Sequence, residues 1–259
     1  MFRFAPVIIR VVALSALVLA SPLAAEGFVE AVERAHGEAS WDRQQVLQAD
    51  IVVEFRGNTM IDGTMWTDTP VGKTRFELAD GTVLIFDGDT AWTSPADAAF
   101  QGTRFHVLTW PYFLAAPMKL DDPGTHVETL GDRPFAEGRA LPAAKLTFDA
   151  GVGDSPEDWY VLYRDPATDH LVGMAYIVTF GTAVEKAEEE PHAIVYSDPV
   201  EVDGVTLFQR WVFHDWSAEK GIFGDPIGRV ELSNLRFVEP AANAFERPAD
   251  AREEAAPGS

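Results

Sequence analysis

Short connections between alternating apolar and polar runs constrain the fold of this 259-residue chain more than any other feature. In one run, Ile51, Val53 and Phe55 occupy every second position, which places one set of side chains against a core. Turn-forming dipeptides follow such runs at short intervals: Asp62-Gly63, Asp80-Gly81, Asp87-Gly88, Asp165-Pro166 and Asp203-Gly204. Connections this short favour hairpins and leave no room for the crossover helices of a parallel sheet. The sequence therefore predicts a mainly β fold with a single curved antiparallel sheet, an incomplete β-barrel.

A short amphipathic helix is predicted ahead of the strands, over Glu26–His36. The apolar residues with helical spacing are Phe28, Ala31, Val32 and Ala35. Gly37 is expected to end this helix, because glycine adopts the left-handed conformation that closes a helix without steric cost.

One segment, Phe105–Met118, departs from the strand pattern and is apolar on nearly every side. Pro111 is expected to be the first residue of a helix there, and Pro117 is expected to end it. A helix that is apolar all round must be buried or must close over something apolar. The segment is therefore either a plug that fills the curved sheet or a lid over a ligand cavity, and the sequence leaves both open.

The two ends of the chain have compositions unlike the rest. Residues 1–25 have the pattern of a secretory signal peptide that is cleaved after Ala25. Arg3 and Arg10 precede an apolar run that is too short to span a bilayer comfortably. We therefore expect a periplasmic protein without a stable membrane anchor. Residues 26–248 are expected to form one β domain, and the acid-rich residues 249–259 a disordered tail after Pro248.

The charge of the chain excludes several partners. It contains 41 acidic and 20 basic residues, a formal net charge of −21. Such a surface repels phosphate backbones and anionic lipid head groups, so neither nucleic acid nor a membrane surface is an expected partner. The chain has no cysteine, so disulfides and thiolate zinc sites are excluded.

Motifs that would carry catalysis or a metal are weak. Gly153-Asp154-Ser155 lacks the surrounding pattern of an esterase nucleophile and is interpreted as a turn. No two histidines have the spacing of a helical metal site. His192 and His214, joined by Asp198 or Asp215, could converge if their strands are neighbours, which keeps open an exported hydrolase with or without a metal. The leading expectation is no catalytic residue, no metal and no cofactor.

Large apolar side chains in the predicted strands are more numerous than a half-exposed sheet requires. Such a sheet must be covered on both faces or must line a cavity with one of them. We therefore predict a hydrophobic ligand site. Its predicted lid residues are Trp110, Phe113 and Leu114, and its predicted wall residues are Trp159, Tyr163, Trp211 and Phe213.

The order of elements and two hairpins resemble the LolA/LolB-like superfamily. Residues 159–170, with Asp165-Pro166-Ala167-Thr168 at the turn, look like one hairpin of that superfamily, and residues 194–205, with Asp203-Gly204, look like a later one. The resemblance covers about residues 26–248. It implies an incomplete β-barrel closed by helices over a hydrophobic cavity, in an exported bacterial protein that binds lipids or the acyl chains of lipoproteins.

The function predicted from the sequence is therefore non-catalytic binding of a lipid or acyl chain in a half-barrel cavity. Two alternatives remain. The first is the exported hydrolase described above, and the second is an envelope-assembly protein that presents an apolar patch to an unknown protein partner.

Overall fold

The computed structural model describes residues 27–256, so the predicted signal peptide lies outside the described residues. The helices are α1 (Phe28–His36), α2 (Glu38–Trp41), α3 (Thr103–Ala115) and α4 (Val184–Ala187), and a 3-10 turn (Ala116–Met118) follows α3. The strands are β1 (Val46–Phe55), β2 (Asn58–Asp68), β3 (Thr74–Leu78), β4 (Val83–Phe86), β5 (Ala91–Ser94), β6 (Thr125–Pro134), β7 (Ala140–Phe148), β8 (Tyr160–Arg164), β9 (Leu171–Tyr176), β10 (His192–Val202), β11 (Val205–Ser217), β12 (Gly221–Val238) and β13 (Arg252–Glu254).

All the strands of residues 27–256 belong to one antiparallel sheet, in the order β13-β5-β4-β3-β2-β1-β12-β11-β10-β9-β8-β7-β6. Most neighbours are consecutive in the chain, as the short turns predict, although Asp62-Gly63 lies within β2 and not at a turn. The exceptions are the β1–β12 pair, which joins two meanders, and the β5–β13 pair at one end. Since β6 and β13 do not pair with each other, the sheet stays open as a half-barrel. The predicted fold class is confirmed.

The N-terminal helix ends where the sequence predicts. Gly37 adopts a left-handed conformation with φ of 80°, and its N–H reaches the carbonyls of Glu33 and Arg34. The chain then forms the short α2, in which the Trp41 indole donates to the Thr69 carbonyl at 2.7 Å. This buried bond anchors the helical pair to the start of the sheet.

Alternation along the strands gives the sheet two apolar faces. On β8, Tyr160 and Leu162 belong to the main core, whereas Val161 and Tyr163 belong to a second cluster on the opposite face. Helix α3 packs in the main core, so we call that face the inner face and the opposite one the outer face. On the outer face, Phe135 of the β6–β7 connection belongs to one cluster with Trp216 of β11 and Ile222 of β12. This cluster withdraws the outer face of β7–β10 from water, whereas β6 and the middle of β12 are largely exposed.

Helix α3 begins earlier than the sequence predicts. Pro111 was expected at the first helical position, where its missing N–H costs nothing; the structure instead starts the helix at Thr103 and places Pro111 in its interior. An interior proline leaves the carbonyl four residues earlier, that of Val107, without its helical partner. Burial of Val107, Trp110 and Phe113 in the core supports the helix through this position. The helix ends at Ala115, two residues before the predicted stop at Pro117.

The C-terminal segment also differs from the sequence expectation. Composition predicts disorder after Pro248, yet Arg252–Glu254 pair with β5 as strand β13. The Arg252 guanidinium donates to the carbonyls of Ala96, Ala98 and Phe100 at 2.8–3.0 Å. The C-terminal segment is ordered by contacts with the edge strand β5 and with backbone carbonyls that lie about 150 residues away in the chain. Local composition contains no information about such distant partners.

Strand β13 also supplies the N-terminal cap of α3. Gly102 precedes the helix and has no side chain to cap it, so the Glu254 carboxylate accepts the N–H groups of Thr103 and Arg104 at 2.9 and 3.3 Å. The negative charge also lies at the positive end of the helix dipole. The tail therefore stabilises the helix that fills the inner face.

We expect Glu254→Gln to lower the free energy of unfolding by about 1 kcal/mol, because the amide keeps one acceptor and loses the charge at the helix terminus. Urea denaturation followed by tryptophan fluorescence measures this. The matched control is Glu253→Gln, which removes the same charge from an exposed neighbour on the same strand. Equal effects of the two variants would contradict the capping role of Glu254.

Candidate ligand-binding cavities

Two cavities lie beside α3 on the inner face. Cavity A has a volume of about 390 Å³ and cavity B about 270 Å³. The residues lining cavity A are Phe55, Arg56, Asn58, Met60, Phe105, His106, Thr109, Trp110, Phe113, Tyr176, Val178 and His192. Cavity B is lined chiefly by apolar and aromatic side chains, among them Val71, Leu108, Tyr112, Phe148, Tyr160, Ile177 and Phe180.

A shared wall separates the two cavities. Phe105, Thr109 and Phe113 of α3, with Tyr176 of β9 and Val178 of the segment that follows it, line both of them. The Phe113 and Tyr176 rings lie 5.0 Å apart, so helix and sheet meet at this wall. Phe105, Thr109 and Val178 are only half-buried, which leaves the wall thin on their side. The cavities are therefore adjacent compartments along one helix.

Two hydrogen bonds between Thr179 and Asp158, called here the Asp158 clasp, hold the segment that closes cavity B. Strand β9 ends at Tyr176, and the chain then leaves the sheet with Val178 and Phe180 against the cavities. The Asp158 carboxylate accepts the backbone N–H and the hydroxyl of Thr179, both at 2.7 Å. Burial raises the pKa of Asp158 to about 6, although these two hydrogen bonds act in the opposite direction. Asp158 thus fixes a short loop over the inner face.

The first turn of α3 is fixed from the other side by an ion pair. The Arg104 guanidinium makes two bonds to the Asp154 carboxylate, at 2.5 and 2.9 Å, and a third to the Asp89 carbonyl at 2.9 Å. Bidentate geometry of this kind is strong and directional. Asp154 therefore orients the helix, which leaves the Gly153-Asp154-Ser155 turn with a structural role.

His106 and Trp110 form the polar part of the helix surface in cavity A. The Trp110 indole N–H donates to His106 Nδ1 at 2.8 Å, and the two rings are stacked. Burial lowers the pKa of His106 to about 4, so the ring is neutral at pH 7. Because Nδ1 accepts a hydrogen bond, the ring proton resides on Nε2. His106 is therefore an uncharged ring whose remaining donor is Nε2–H.

The structure distributes the predicted site residues over three places. Trp110 lines cavity A and Phe113 lines both cavities. Phe213 lies behind them, with its ring 6.2 Å from that of Trp110. Leu114 and Trp211 border a void of about 10 Å³ near His36. The two remaining predictions lie on the outer face.

Those two are Trp159 and Tyr163, which belong to the outer cluster. Tyr163 accepts the Trp216 indole N–H at 2.9 Å, and Trp159 donates to Glu188 at 3.2 Å. The structure thus brings Trp110, Phe113 and Phe213 together at the cavities and places Trp159 and Tyr163 across the sheet from them.

Sequence reasoning did not single out several cavity residues. These are Arg56, Phe105, His106, Thr109, Tyr176 and Val178 on cavity A and Tyr112, Asp158, Tyr160 and Phe180 on cavity B, whereas His192 on cavity A was predicted only as a candidate catalytic residue. The helical period of 103–115 was the available signal: residues 105, 109 and 113 recur every fourth position and share one side of the helix. The predicted helix began at Pro111, so residues 105 and 109 were not recognised as helical and the period was missed.

The histidines are not arranged as a catalytic pair. Strands β10 and β11 are neighbours, but Ala193 pairs with His214 and His192 with Asp215, so the two histidines lie on opposite faces. His192 Nδ1 is 3.8 Å from the Asp215 carboxylate, beyond hydrogen-bonding distance. His36, buried in the core, uses Nδ1–H to donate to Thr206 and Nε2 to accept the Leu171 N–H. Its environment is that of a structural histidine.

One group of carboxylates in residues 27–256 has the spacing of a cation site. Oxygens of Glu33, Glu38 and Asp121 lie within 4.8 Å of one another. Glu33 is buried and accepts the N–H groups of Leu120 and Asp121, both at 3.1 Å, which joins α1 to the chain after α3. Burial first, and then the charges of Asp121 and Glu38, raise the pKa of Glu33 to about 8.

We expect the contribution of Glu33 to stability to fall as pH rises between about 4.5 and 8, because Glu33 binds its proton more tightly when folded than when unfolded. Glu33→Gln keeps a carbonyl that accepts the two N–H groups and removes the titration. The variant should be more stable than the wild type at pH 9 and lose that advantage at pH 5 in thermal melts. Glu30→Gln, exposed on the same helix, is the control. A pH-independent difference between Glu33→Gln and wild type would contradict this assignment.

No helix of residues 27–256 is both long enough and apolar enough to cross a membrane.

Comparison with known proteins identifies the fold. No protein-family model matches the chain, and no curated protein matches it. Among solved structures, the chain is similar to a LolA superfamily protein from Nitrosomonas europaea, with a TM-score of 0.54 and 9% identity over 85% of this chain and 97% of that one. It is also similar to a putative outer membrane lipoprotein-sorting protein domain from Vibrio parahaemolyticus, with a TM-score of 0.50 and 12% identity over 84% and 95%. The LolA-like fold predicted from the sequence is confirmed, and identities this low speak to the fold alone.

Proposed function

We propose that this LolA-like chain is an exported, non-catalytic protein that binds a lipid or acyl chain beside α3. The observation that carries the proposal is the pair of largely apolar cavities that share a wall on one helix. Pockets that bind small hydrophobic molecules are concave, mostly apolar and supplied with a few polar groups, which is the composition of cavity A. Trp110 and Phe113 are the ligand contacts, and Phe213 supports them from behind.

The size of cavity A suits a single chain. A water molecule occupies about 30 Å³ of liquid, so 390 Å³ accommodates roughly a dozen groups of methylene size. Each buried methylene contributes about 0.8 kcal/mol, so a chain of about ten carbons gives useful affinity after the cost of association. A longer chain would have to continue past Phe105 into cavity B.

One of the similar structures, from Vibrio parahaemolyticus, is a putative outer membrane lipoprotein-sorting protein domain, which supports this proposal. The N-terminal pattern of residues 1–25 supports export of this chain. Periplasmic location and a lipid ligand are therefore parts of the same proposal.

Helix α3 both fills part of the core and forms a wall of the two cavities. Trp110 and Phe113 are each 4% exposed, and the Tyr196 hydroxyl donates to the Phe113 carbonyl at 3.0 Å. Removing these aromatic side chains would open the core as well as the binding site. Thr109 is better suited to a test, because it is half-buried and faces both cavities.

We expect Thr109→Phe to project a ring from the shared wall, to obstruct both cavities and so to abolish uptake of a medium-length fatty acid or lipid while the chain stays folded. Native mass spectrometry of the mature protein from an exported fraction, followed by solvent extraction, should show a bound lipid on the wild type and none on the variant. Circular dichroism checks the sheet. Thr129→Phe, at an exposed position on β6, is the control and should retain the ligand.

Wild-type protein with a clean apo mass and no uptake of added fatty acid or phospholipid would overturn the proposed function. Retention of the ligand by a folded Thr109→Phe variant would place binding elsewhere on the molecule.

A further inference from the structure

The two cavities differ in charge. Cavity A is lined by Arg56, His106 and His192 and by no carboxylate, although the chain has 41 acidic and only 20 basic residues. The lining of cavity B instead combines Lys119 with the carboxylates of Asp154, which is paired with Arg104, and Asp158. An anionic group is therefore favoured in cavity A.

Arg56 is the cation at the mouth of cavity A. It occupies the turn between β1 and β2, where its backbone N–H donates to the Ile227 carbonyl at 2.8 Å. Its guanidinium makes no ion pair with a carboxylate of residues 27–256. Nearby arginines are paired: Arg210 lies 3.5 Å from Asp198, and Arg229 lies 2.6 Å from Glu54. In so acidic a chain, an exposed arginine that lines an apolar cavity and whose guanidinium has no hydrogen-bond partner among residues 27–256 is suited to an anionic ligand.

One imidazole extends this donor set. His192 Nδ1 is buried and has no hydrogen-bond partner in the described part of the chain, and the carboxylate that faces it, Asp215, is 3.8 Å away. A buried polar atom without a partner is costly, and a ligand oxygen would remove that cost.

We infer that cavity A takes a single-chain amphiphile with an anionic head, a carboxylate or a phosphate monoester. The head lies at Arg56 and His192, and the chain runs along Trp110 and Phe113 towards Phe105. This inference rests on the proposed function, since it specifies the ligand of the same site. Arg56 and His192 are the residues that set head-group specificity.

The test compares decanoate, decyl phosphate, decanol and decyltrimethylammonium as competitors of a fluorescent fatty acid at neutral pH. All four have the same chain, so differences in affinity report the head. We expect one or both anions to bind about ten-fold more tightly than decanol, because charge-assisted hydrogen bonds replace neutral ones, and the cation to bind most weakly.

The variant Arg56→Gln should remove the preference for anions and leave the affinity for decanol unchanged. Arg210→Gln is the matched control: it removes the same charge from an exposed arginine that borders a neighbouring groove and does not line cavity A. This control should keep the preference. Tighter binding of decyl phosphate than of decanoate, lost in Arg56→Gln, assigns the head as a phosphate monoester; the reverse order assigns it as a carboxylate.

Equal affinity of wild type for decanol and both anions would overturn the anionic-head inference while leaving the binding of apolar chains intact. Loss of preference in both arginine variants would also overturn it, because the effect would then be one of net charge. Failure of all four ligands to compete would instead count against the proposed function.

Discussion

Burial of helix α3 on the inner face of an open sheet is the interaction on which the rest of this structure depends. The sheet is apolar on both faces, and Val107, Trp110 and Phe113 cover the inner one. A buried helix must still satisfy the polar groups at its ends. Glu254 does so at the N-terminus, and the Tyr196 hydroxyl reaches the Phe113 carbonyl near the C-terminal end. Burial of α3 in the core and ordering of the C-terminal segment therefore depend on each other, because Glu254 of that segment caps the helix.

The cavities follow from the same arrangement. The wall residues Phe105, Thr109 and Phe113 recur every fourth position along the helix, so one ridge of side chains meets the end of β9 and leaves space on either side. The Asp158 clasp on Thr179 and the Arg104–Asp154 pair hold the two ends of this contact in place. Rigid polar contacts at the margins allow the middle of the inner face to stay incompletely filled. A binding site of this kind needs no lid separate from the core.

Local charge departs from the overall charge in a way that matters for the proposed ligand. The acidic residues keep the surface soluble and repel polyanions. Nevertheless, the mouth of cavity A carries Arg56 without a paired carboxylate in the described part of the chain. The sign of the field at a site depends on a few neighbours within several ångströms, since exposed charges farther away are screened. An acidic protein can therefore select an anionic ligand.

How far the sequence predicted the structure depends on the range of the interactions involved. The hairpins, the end of α1 at Gly37 and the separation of Tyr160 from Tyr163 on the two faces follow from local turn chemistry and period-two patterning. The predicted start of α3 at Pro111 was wrong, because burial of the helix outweighs the preference of proline for the first helical turn. Disorder of the tail was expected because the partners of Arg252 and Glu254 lie about 150 residues away along the chain.

The sequence by itself determined an open antiparallel sheet with two apolar faces and a buried apolar helix, because hydrophobic periodicity and turn residues act within a few positions of one another. It also determined that Trp110 and Phe113 would be withdrawn from water. Only the tertiary structure decided that Phe105, Thr109 and Tyr176 form a wall between two cavities, and that Arg56 lies at the mouth of one of them. Those placements depend on how β1, β9 and α3 meet in space, and elements so far apart in the chain are brought together by packing of the whole core.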